Sequence, residues 1–326
     1  MIKPSELTWD QIVQVGSGTP GGNYLRCFWW PVALAEEVKD IPVPVKILGE
    51  ELVLFRDLSG ELTLLGAYCS HRRASLEYGI IQTEGIRCAY HGWCYDRRGR
   101  VVDRPAEPIK TAPNIQHPWY PAKELGGFVF AYMGKDKESP PPLPRYDVLV
   151  QDGYRVVERG DSNTGKAYNC NWLQGVENTT DTTHLTYLHR IYDKCPSFKA
   201  VEGDYGVKLY ILEPRAKANH VALRKRSTVL PTINRKSREL RPKNPEEPQL
   251  TLQQAIWIVP IDDTHCEEMR LTVYPEKPKE RRYHGAFVDQ AKERVRKPYD
   301  RRFYGEIKGI VPLEDKAMVE SQGPIV

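Results

Sequence analysis

The sequence contains no apolar run near the length of about 20 residues that a helix needs to cross a bilayer. Its first residues also lack the apolar core of a secretory signal peptide. The formal net charge is only +4, which argues against nucleic-acid binding and against a polybasic membrane anchor. The seven cysteines are scattered and odd in number, as in proteins that keep reduced thiols. We therefore expect a cytoplasmic globular protein that binds neither nucleic acid nor membrane.

Two short motifs each offer one cysteine and one histidine. Cys69 and His71 form C-x-H, and Cys88 and His91 form C-x-x-H after a gap of sixteen residues. Two thiolates and two imidazoles suit a [2Fe-2S] cluster in which the cysteines bind one iron and the histidines bind the other. Zinc is the alternative, although zinc sites usually pair cysteine with cysteine and histidine with histidine along the chain. At these motifs the sequence resembles the Rieske proteins.

Short strand-like runs surround the motifs, for example between Val43 and Ala67 and from Phe128 to Tyr132. Glycine and charged turns separate these runs, a pattern that predicts a small antiparallel β domain. The proline-rich segment 140–144 indicates its end. We therefore expect a cluster domain with an N-terminal extension over residues 1–144 and a second domain over residues 145–326.

The segment 169–192 combines the apolar periodicity of an amphipathic helix with many metal-binding side chains. His184 and His189 are the candidate pair for a mononuclear iron that one carboxylate would complete. Five residues of a regular α-helix turn through about 500°, which would point these histidines about 140° apart. We therefore expect the helix to end near Tyr187 or to contain a π-type bulge before His189.

Over nearly its whole length the chain resembles the catalytic alpha subunits of Rieske non-haem iron oxygenases, in the group that includes phthalate dioxygenase. Besides the two motifs, the resemblance rests on the spacing of acids and histidines over 177–189 and on the segment 314–325. It implies an α+β fold, in which an antiparallel β Rieske domain precedes a catalytic domain with an antiparallel sheet and iron-carrying helices. It also implies Asp315 as the third ligand of the mononuclear Fe(II), with Glu314 as the neighbouring alternative.

From proximity alone, the third ligand would instead be Glu177 or Asp181. The resemblance gives Asp181 another role, because similar proteins form head-to-tail rings of three subunits. In such a homotrimer, Asp181 would accept N–H bonds from His184 and from His91 of the next subunit, joining the cluster to the iron site. Asn178 would line the iron pocket.

The resemblance implies a terminal oxygenase that uses O2 and electrons from an NAD(P)H-dependent reductase. It would hydroxylate an aromatic substrate by monooxygenation, dioxygenation or O-demethylation, in the catabolism of aromatic compounds. The phthalate group favours an aromatic carboxylic acid, which arginine would bind, and Arg224 and Arg226 are the candidates.

Two alternatives remain at this point, a Rieske electron-transfer protein and a truncated oxygenase without turnover. The second is considered because the sequence ends eleven residues after Asp315, whereas members of the group usually continue into a further helix. Two other segments and one histidine are given no role in the proposed chemistry. Residues 234–249 are expected to form a solvated loop, residues 287–304 a helix with a charged face, and His117 a surface or structural position.

Overall fold

The computed structural model describes residues 6–107, 115–160, 166–191, 194–215, 220–240, 250–277 and 311–325. The chain divides into two compact units, Met1–Arg145 with Pro260–Asp263, and Tyr146–Val259 with Thr264–Val326. Antiparallel sheets with few helices make up the described residues, which confirms the predicted α+β class. Within these residues no helix is both long enough and apolar enough to cross a membrane.

In the described part of the first unit, short strands form one three-stranded and two four-stranded sheets. The strands are β1 (Trp29–Leu34), β2 (Val43–Ile47), β3 (Glu50–Arg56), β4 (Leu62–Gly66), β5 (Ile80–Gln82), β6 (Gly85–Arg87), β7 (Cys94–Asp96), β8 (Val101–Asp103), β9 (Trp119–Tyr120), β10 (Ala122–Leu125) and β11 (Phe128–Tyr132). The sheet orders are β1-β11-β10, β2-β3-β4-β9 and β5-β6-β7-β8. Two short helices, α1 (Trp9–Val13) and α2 (Pro20–Leu25), precede the strands.

The β2–β3 hairpin illustrates how the sequence sets these short strands. Ile47 pairs directly with Glu50, so Leu48 and Gly49 form a two-residue loop. Both loop residues have positive φ, 50° and 77°, as the favoured hairpin loops require. Gly49 adopts this conformation without strain, whereas Leu48 is a non-glycine residue whose side chain is fully buried. Packing of the leucine side chain therefore stabilises a backbone conformation that leucine rarely adopts.

Buried side chains of the two four-stranded sheets and their loops form one hydrophobic core that contains both motif cysteines. Its members are Val53, Phe55, Leu65, Cys69, Leu76, Ile86, Cys88, Trp93 and Tyr95. Cys69 and Cys88 are each only 2% exposed. Their sulfur atoms therefore lie at the inner end of the two motif loops, shielded from water.

The second unit is organised around an eight-stranded antiparallel sheet, ordered β12-β19-β18-β17-β16-β15-β14 with β13 paired to β19. Its strands are β12 (Tyr154–Arg159), β13 (Ala167–Tyr168), β14 (Ser197–Gly203), β15 (Gly206–Arg215), β16 (His220–Val229), β17 (Ile233–Leu240), β18 (Leu250–Asp262) and β19 (His265–Tyr274). Its described helices are α3 (Asp147–Val150), α4 (Trp172–Thr180), α5 (His184–Tyr187) and α6 (Val311–Ser321). The Thr180 hydroxyl is 2.9 Å from that of Thr228, so the end of α4 lies on the sheet at β16.

Three sequence predictions need comment. The expected loop over 234–249 is wrong in its first part, because β17 pairs with both β16 and β18. Strand pairing on two sides satisfies its backbone, and the charged composition that suggested a loop does not prevent this. The single helix expected to run from this segment's start to near Tyr187 is two helices, α4 and α5, separated by residues 181–183. The rest of the predicted loop, 241–249, and the predicted helix 287–304 lie outside the described residues.

Candidate metal centres

The two cysteine–histidine motifs form loops with the same backbone hydrogen bonds. In each loop the cysteine N–H donates to the carbonyl five residues later, at 2.9 Å for Cys69 and 2.8 Å for Cys88. The cysteine carbonyl accepts from the N–H four residues later, at 2.8 Å from Arg73 and 3.1 Å from Gly92. Both of those residues have positive φ, 57° and 75°. The loops are therefore equivalent turns, although their histidines occupy different positions.

The histidines of the two loops lie side by side. The ring centroids of His71 and His91 are 4.7 Å apart. Within the described residues, the Nδ1 atom of each ring is buried and has no hydrogen-bond partner. Such atoms are uncommon in native proteins unless a bound group satisfies them. Two unpaired imidazole nitrogens beside the buried thiols of Cys69 and Cys88 fit a [2Fe-2S] cluster with mixed cysteine and histidine ligation.

Tyr95, to which the sequence analysis assigned no role, hydrogen-bonds to the first loop. Its hydroxyl oxygen lies 3.0 Å from Cys69 Sγ and accepts the Ser70 N–H at 3.0 Å. Burial raises the pKa of Tyr95 well above its ordinary value, so the phenol keeps its proton. Because the Ser70 N–H already donates to the phenol oxygen, the phenol proton is directed to the sulfur. The signal in the sequence was an aromatic residue in a strand directly after the second motif.

His184, His189 and Asp315 converge, with one potential ligand atom from each lying within 4.8 Å of the others. Asp315 Oδ1 is 2.9 Å from His189 Nε2 and 3.6 Å from His184 Nε2. The helix that begins at His184 ends at Tyr187, and Arg190 has a positive φ of 54°. This confirms the predicted departure from a regular helix, which lets histidines five residues apart face one position. Two imidazoles and one carboxylate whose ligand atoms converge in this way fit a mononuclear Fe(II) site.

Asp181 orients His184. One carboxylate oxygen accepts the Thr183 N–H at 2.8 Å, and the other accepts from His184 Nδ1 at 2.8 Å and from its backbone N–H at 3.1 Å. Burial would raise the pKa of Asp181, but these hydrogen bonds outweigh it and lower the net value. The ionised carboxylate holds a proton on Nδ1, which leaves the Nε2 lone pair of His184 directed at Asp315. Asp181 therefore lies on the opposite side of the ring from the metal position.

Glu314 orients His189 in the same manner. Its Oε2 atom is 2.7 Å from His189 Nδ1, and both side chains are only 1% exposed. Asp315, the next residue, lies at the other ring nitrogen. The two consecutive carboxylates thus contact different nitrogens of the His189 imidazole, and only Asp315 approaches both histidines. Glu177, considered above as a ligand from proximity, is exposed on α4 and is not part of the convergent group.

The N-terminal half of α6 carries Glu314 and Asp315, and side chains later in the helix hold it against the segment that leads into α4. Lys316 Nζ donates to the Ala167 carbonyl at 2.6 Å. Glu320 accepts the Asn169 N–H at 2.8 Å. These bonds join residues about 150 positions apart in sequence, and so position the third candidate ligand relative to the two histidines.

The remaining candidates lie near α4 without completing the site. Asn178 is half-buried on α4, and within the described residues it forms no hydrogen bond with the three convergent side chains. Alternate residues of a strand point to one side, so Arg224, Arg226 and Thr228 share a face of β16. The Thr228 hydroxyl bonds to the end of α4. Arg224 donates to Glu213 at 2.8 Å, a carboxylate that is 1% exposed. The charge of Arg224 is therefore matched within the sheet.

Comparison with known proteins identifies the first centre. A model of the Rieske [2Fe-2S] domain matches residues 28–113, which include all four motif residues. The chain is 42% identical over 193 residues to the phenoxybenzoate dioxygenase subunit alpha of Ectopseudomonas oleovorans, covering 56% of this chain and 47% of that protein. It is 36% identical over 199 residues to the phthalate 4,5-dioxygenase oxygenase subunit of Pseudomonas putida, covering 58% and 42%.

A further relative is the tert-butanol monooxygenase / tert-amyl alcohol desaturase oxygenase subunit of Aquincola tertiaricarbonis. It is 42% identical over 191 residues, which cover 58% of this chain and 39% of the relative. The matched stretch thus spans less than half the length of each of these three proteins.

Solved structures resemble a larger part of the chain. Dicamba monooxygenase bound to dicamba matches with a TM-score of 0.68 and 21% identity, covering 92% of this chain and 88% of that one. NdmA of Pseudomonas putida CBB5 with caffeine matches with a TM-score of 0.71 and 20% identity, covering 92% and 83%. At such identity these matches establish a common fold. The chain therefore contains a Rieske [2Fe-2S] domain, is similar in sequence to oxygenase subunits over somewhat more than half of its length, and shares its fold with solved oxygenases.

Proposed function

We propose that the chain is a terminal oxygenase that uses O2 and reductase-supplied electrons to hydroxylate an aromatic substrate. The observation that carries this proposal is the convergence of His184, His189 and Asp315 in a chain that also has a Rieske domain. An electron-transfer protein needs only the cluster, so nothing in that alternative explains a second set of ligands. Oxygen incorporation takes the form of monooxygenation, dioxygenation or O-demethylation, reactions named among its relatives.

Each centre has its own residues. In the cluster domain, residues 1–144, Cys69 and Cys88 hold one iron of the [2Fe-2S] cluster, and His71 and His91 hold the other. In the catalytic domain, residues 145–326, the convergent triad holds Fe(II). When bound, the cluster supplies single electrons and the Fe(II) supplies the site of oxygen chemistry.

The protein positions these ligands through paired carboxylates. Asp181 keeps a proton on His184 Nδ1, and Glu314 does the same at His189 Nδ1. With iron bound, each Nε2 atom would then direct its lone pair to the metal. Burial of His189 and Glu314 keeps water from competing for this hydrogen bond.

Asp181 has a second task in the proposed assembly, a homotrimer in which the cluster of one subunit faces the iron of the next. Its side chain remains 44% exposed, which leaves room for another N–H donor. His91 of a neighbouring copy is that donor, so the two metal centres are joined by hydrogen bonds through one carboxylate. The electrons come from a separate NAD(P)H-dependent reductase in the cytoplasm, where all seven free cysteines stay reduced.

The substrate we favour is an aromatic carboxylic acid. Several relatives are named for such acids, phthalate, phenoxybenzoate and 3-chlorobenzoate. Arg224, which also pairs with buried Glu213, and Arg226 are the candidate partners of the carboxylate. Asn178, on the helix α4 whose C-cap is Asp181, lines the pocket.

Metal analysis combined with turnover tests this function. The oxygenase requires the two cluster irons plus one further iron per chain, with two labile sulfides. In a His189→Ala variant the further iron should be lost while the visible spectrum of the cluster is retained. Oxygen uptake and NADH consumption across a panel of aromatic acids, with a surrogate reductase, should then fall to background. Wild-type protein with cluster iron alone would instead support the electron-transfer protein or the oxygenase without turnover.

A further inference from the structure

His117, which the sequence analysis treated as a surface or structural residue, is 1% exposed and lies beside the first motif loop. Its ring packs against the Tyr95 ring, with centroids 4.5 Å apart. Its backbone N–H donates to the Gly99 carbonyl at 2.9 Å, so the main chain is held as well as the side chain. The proposed reaction does not use this imidazole, and its position calls for another explanation.

The hydrogen bonds of His117 determine which ring nitrogen carries the proton. Nε2 lies 2.9 Å from the Gly66 carbonyl, and a carbonyl can only accept. Burial lowers the pKa of His117, so the ring is neutral and has a single N–H. Nε2 therefore carries the hydrogen, and Nδ1 must accept. The partner of Nδ1 is the Ser70 hydroxyl at 2.8 Å, which is consequently the donor.

The same reasoning continues to the cluster sulfur. With its hydroxyl held by His117, Ser70 is fixed at the tip of the loop, and its backbone N–H donates to the Tyr95 oxygen. The phenol proton is then left for Cys69 Sγ, 3.0 Å away. The hydrogens thus point in two directions from Ser70, through His117 to the Gly66 carbonyl and through Tyr95 to Cys69 Sγ.

His117 also connects both ends of the loop. Gly66 lies at the end of the strand that enters it, and Ser70 follows Cys69 at its tip. A Cβ at position 66 would lie 3.2 Å from His117 Nε2, so the glycine permits this close approach. Rigid placement matters, because hydrogen bonds to cluster sulfurs are among the factors that set the reduction potential.

We propose that His117 is a positioning residue that holds Ser70 so that the Tyr95 hydroxyl donates to Cys69 Sγ, and thereby raises the reduction potential of the Rieske cluster. A hydrogen bond to sulfur stabilises the more negative, reduced cluster, so its weakening lowers the potential. His117 itself does not touch the cluster. The inference depends on the cluster and not on the proposed oxygenation, and its test needs no turnover.

The test is a redox titration of the intact, cluster-loaded chain, followed by electron paramagnetic resonance of the reduced state. Tyr95→Phe should lower the midpoint potential, since the sulfur loses its donor. His117→Ala and Ser70→Ala should also lower the midpoint potential, by no more than Tyr95→Phe does. Ser70→Thr keeps the hydroxyl and should have the wild-type potential. His265→Ala, in the second unit, is the matched control and should leave the potential unchanged.

The double variant Tyr95→Phe/His117→Ala separates this role from a general loss of structure. Since the phenol donor is already absent, removal of His117 should add no further decrease. A full additional decrease in that background would overturn the proposal, as would an unchanged potential in His117→Ala or in Tyr95→Phe. If His117→Ala fails to retain the cluster, Ser70→Ala decides, because it removes one exposed hydroxyl: an unchanged potential there also overturns the proposal.

Discussion

The imidazole of His189 and the carboxylate of Glu314 form a 2.7 Å hydrogen bond in a region where each side chain is 1% exposed. The bond occupies Nδ1 and so reserves Nε2 for the metal position beside Asp315. A carboxylate behind a metal-binding histidine fixes the ring and increases its basicity. In the proposed iron centre, Glu314 would thus orient a ligand without touching the metal.

We expect Glu314→Ala to weaken iron binding at the mononuclear site by roughly 10–100-fold, the usual cost of losing such a partner. Glu314→Gln, which keeps an acceptor oxygen, should have a smaller effect. Equilibrium titration of metal-depleted protein with Fe(II) under anaerobic conditions measures both. Glu177→Gln, an exposed acid on α4, is the control and should bind iron like the wild type. Equal affinity of Glu314→Ala and wild type would contradict the prediction.

Asp181→Asn should uncouple the two centres with little change in metal content. The amide oxygen can still accept the Thr183 N–H, but the amide NH2 group cannot accept from His184, and the negative charge that faces His184 Nδ1 is lost. We expect cluster reduction by dithionite to be unaffected and oxygen uptake to fall by at least about 10-fold. Iron analysis of the same sample is the control. A variant that lacks the mononuclear iron would assign Asp181 to metal retention and not to coupling.

The two arginines of β16 should respond differently to substitution. Arg226→Gln should raise KM for an aromatic acid without raising it for a neutral analogue, since only the acid presents a carboxylate. Arg224→Gln should mainly reduce stability, because it removes an ion pair with the buried Glu213 carboxylate. Steady-state kinetics with both substrates, and urea unfolding of both variants, measure these effects. Equal changes in KM for the acid and the neutral analogue would exclude Arg226 as its partner.

Asp57 should contribute stability that depends on pH. Burial alone would raise its pKa, but bonds from Arg97, Ser59 and the Glu61 N–H outweigh burial and lower the net value. A pKa that is depressed in the folded state stabilises the protein above the unfolded pKa of about 4, and this stabilisation is lost as pH falls through the folded value. Asp57→Asn should therefore destabilise the protein by about 1–3 kcal/mol at neutral pH.

The difference between Asp57→Asn and wild type should shrink as the pH is lowered from 7 to about 3, because the wild-type carboxylate becomes protonated. Urea unfolding followed by tryptophan fluorescence at several pH values provides the measurement. Glu124→Gln, which removes an exposed pair with Arg56, is the control and should change stability by less than about 1 kcal/mol at every pH. A constant difference for Asp57→Asn across this range would show that its charge is not involved.

The buried thiol pair should be inert in the folded protein. Cys170 and Cys266 have sulfur atoms 3.7 Å apart, and their interaction together with burial raises the pKa of Cys266 well above its ordinary value. Cys27 and Cys195 are exposed. A short pulse of alkylating reagent, read by mass spectrometry, should therefore modify Cys27 and Cys195 first. Alkylation of Cys266 at the same rate in native protein and in urea would contradict the burial.

Local patterns in the sequence were sufficient for the features that depend on near neighbours. The hairpin strands of the first unit follow from alternating apolar residues and turn-forming glycines, and the two cluster loops follow from motifs a few residues long. The end of the helix near Tyr187 was also predictable, because helix geometry forbids His184 and His189 from facing one position otherwise. Composition failed for β17, where pairing with two neighbouring strands outweighs a charged sequence.

The amino-acid sequence by itself determined that this chain has two cysteine–histidine loops and a histidine pair suited to a second metal. Only the tertiary structure decided which of two adjacent acids lies close to both histidines. It also decided that Glu314 and Tyr95 hydrogen-bond to candidate metal ligands, and that His117 bonds to Ser70 beside one of them. The physical reason is sequence distance: Glu314 and His189 are 125 residues apart, and His117 and Ser70 are 47 residues apart. Contacts of that range arise from packing of the whole domain, which no local periodicity or motif encodes.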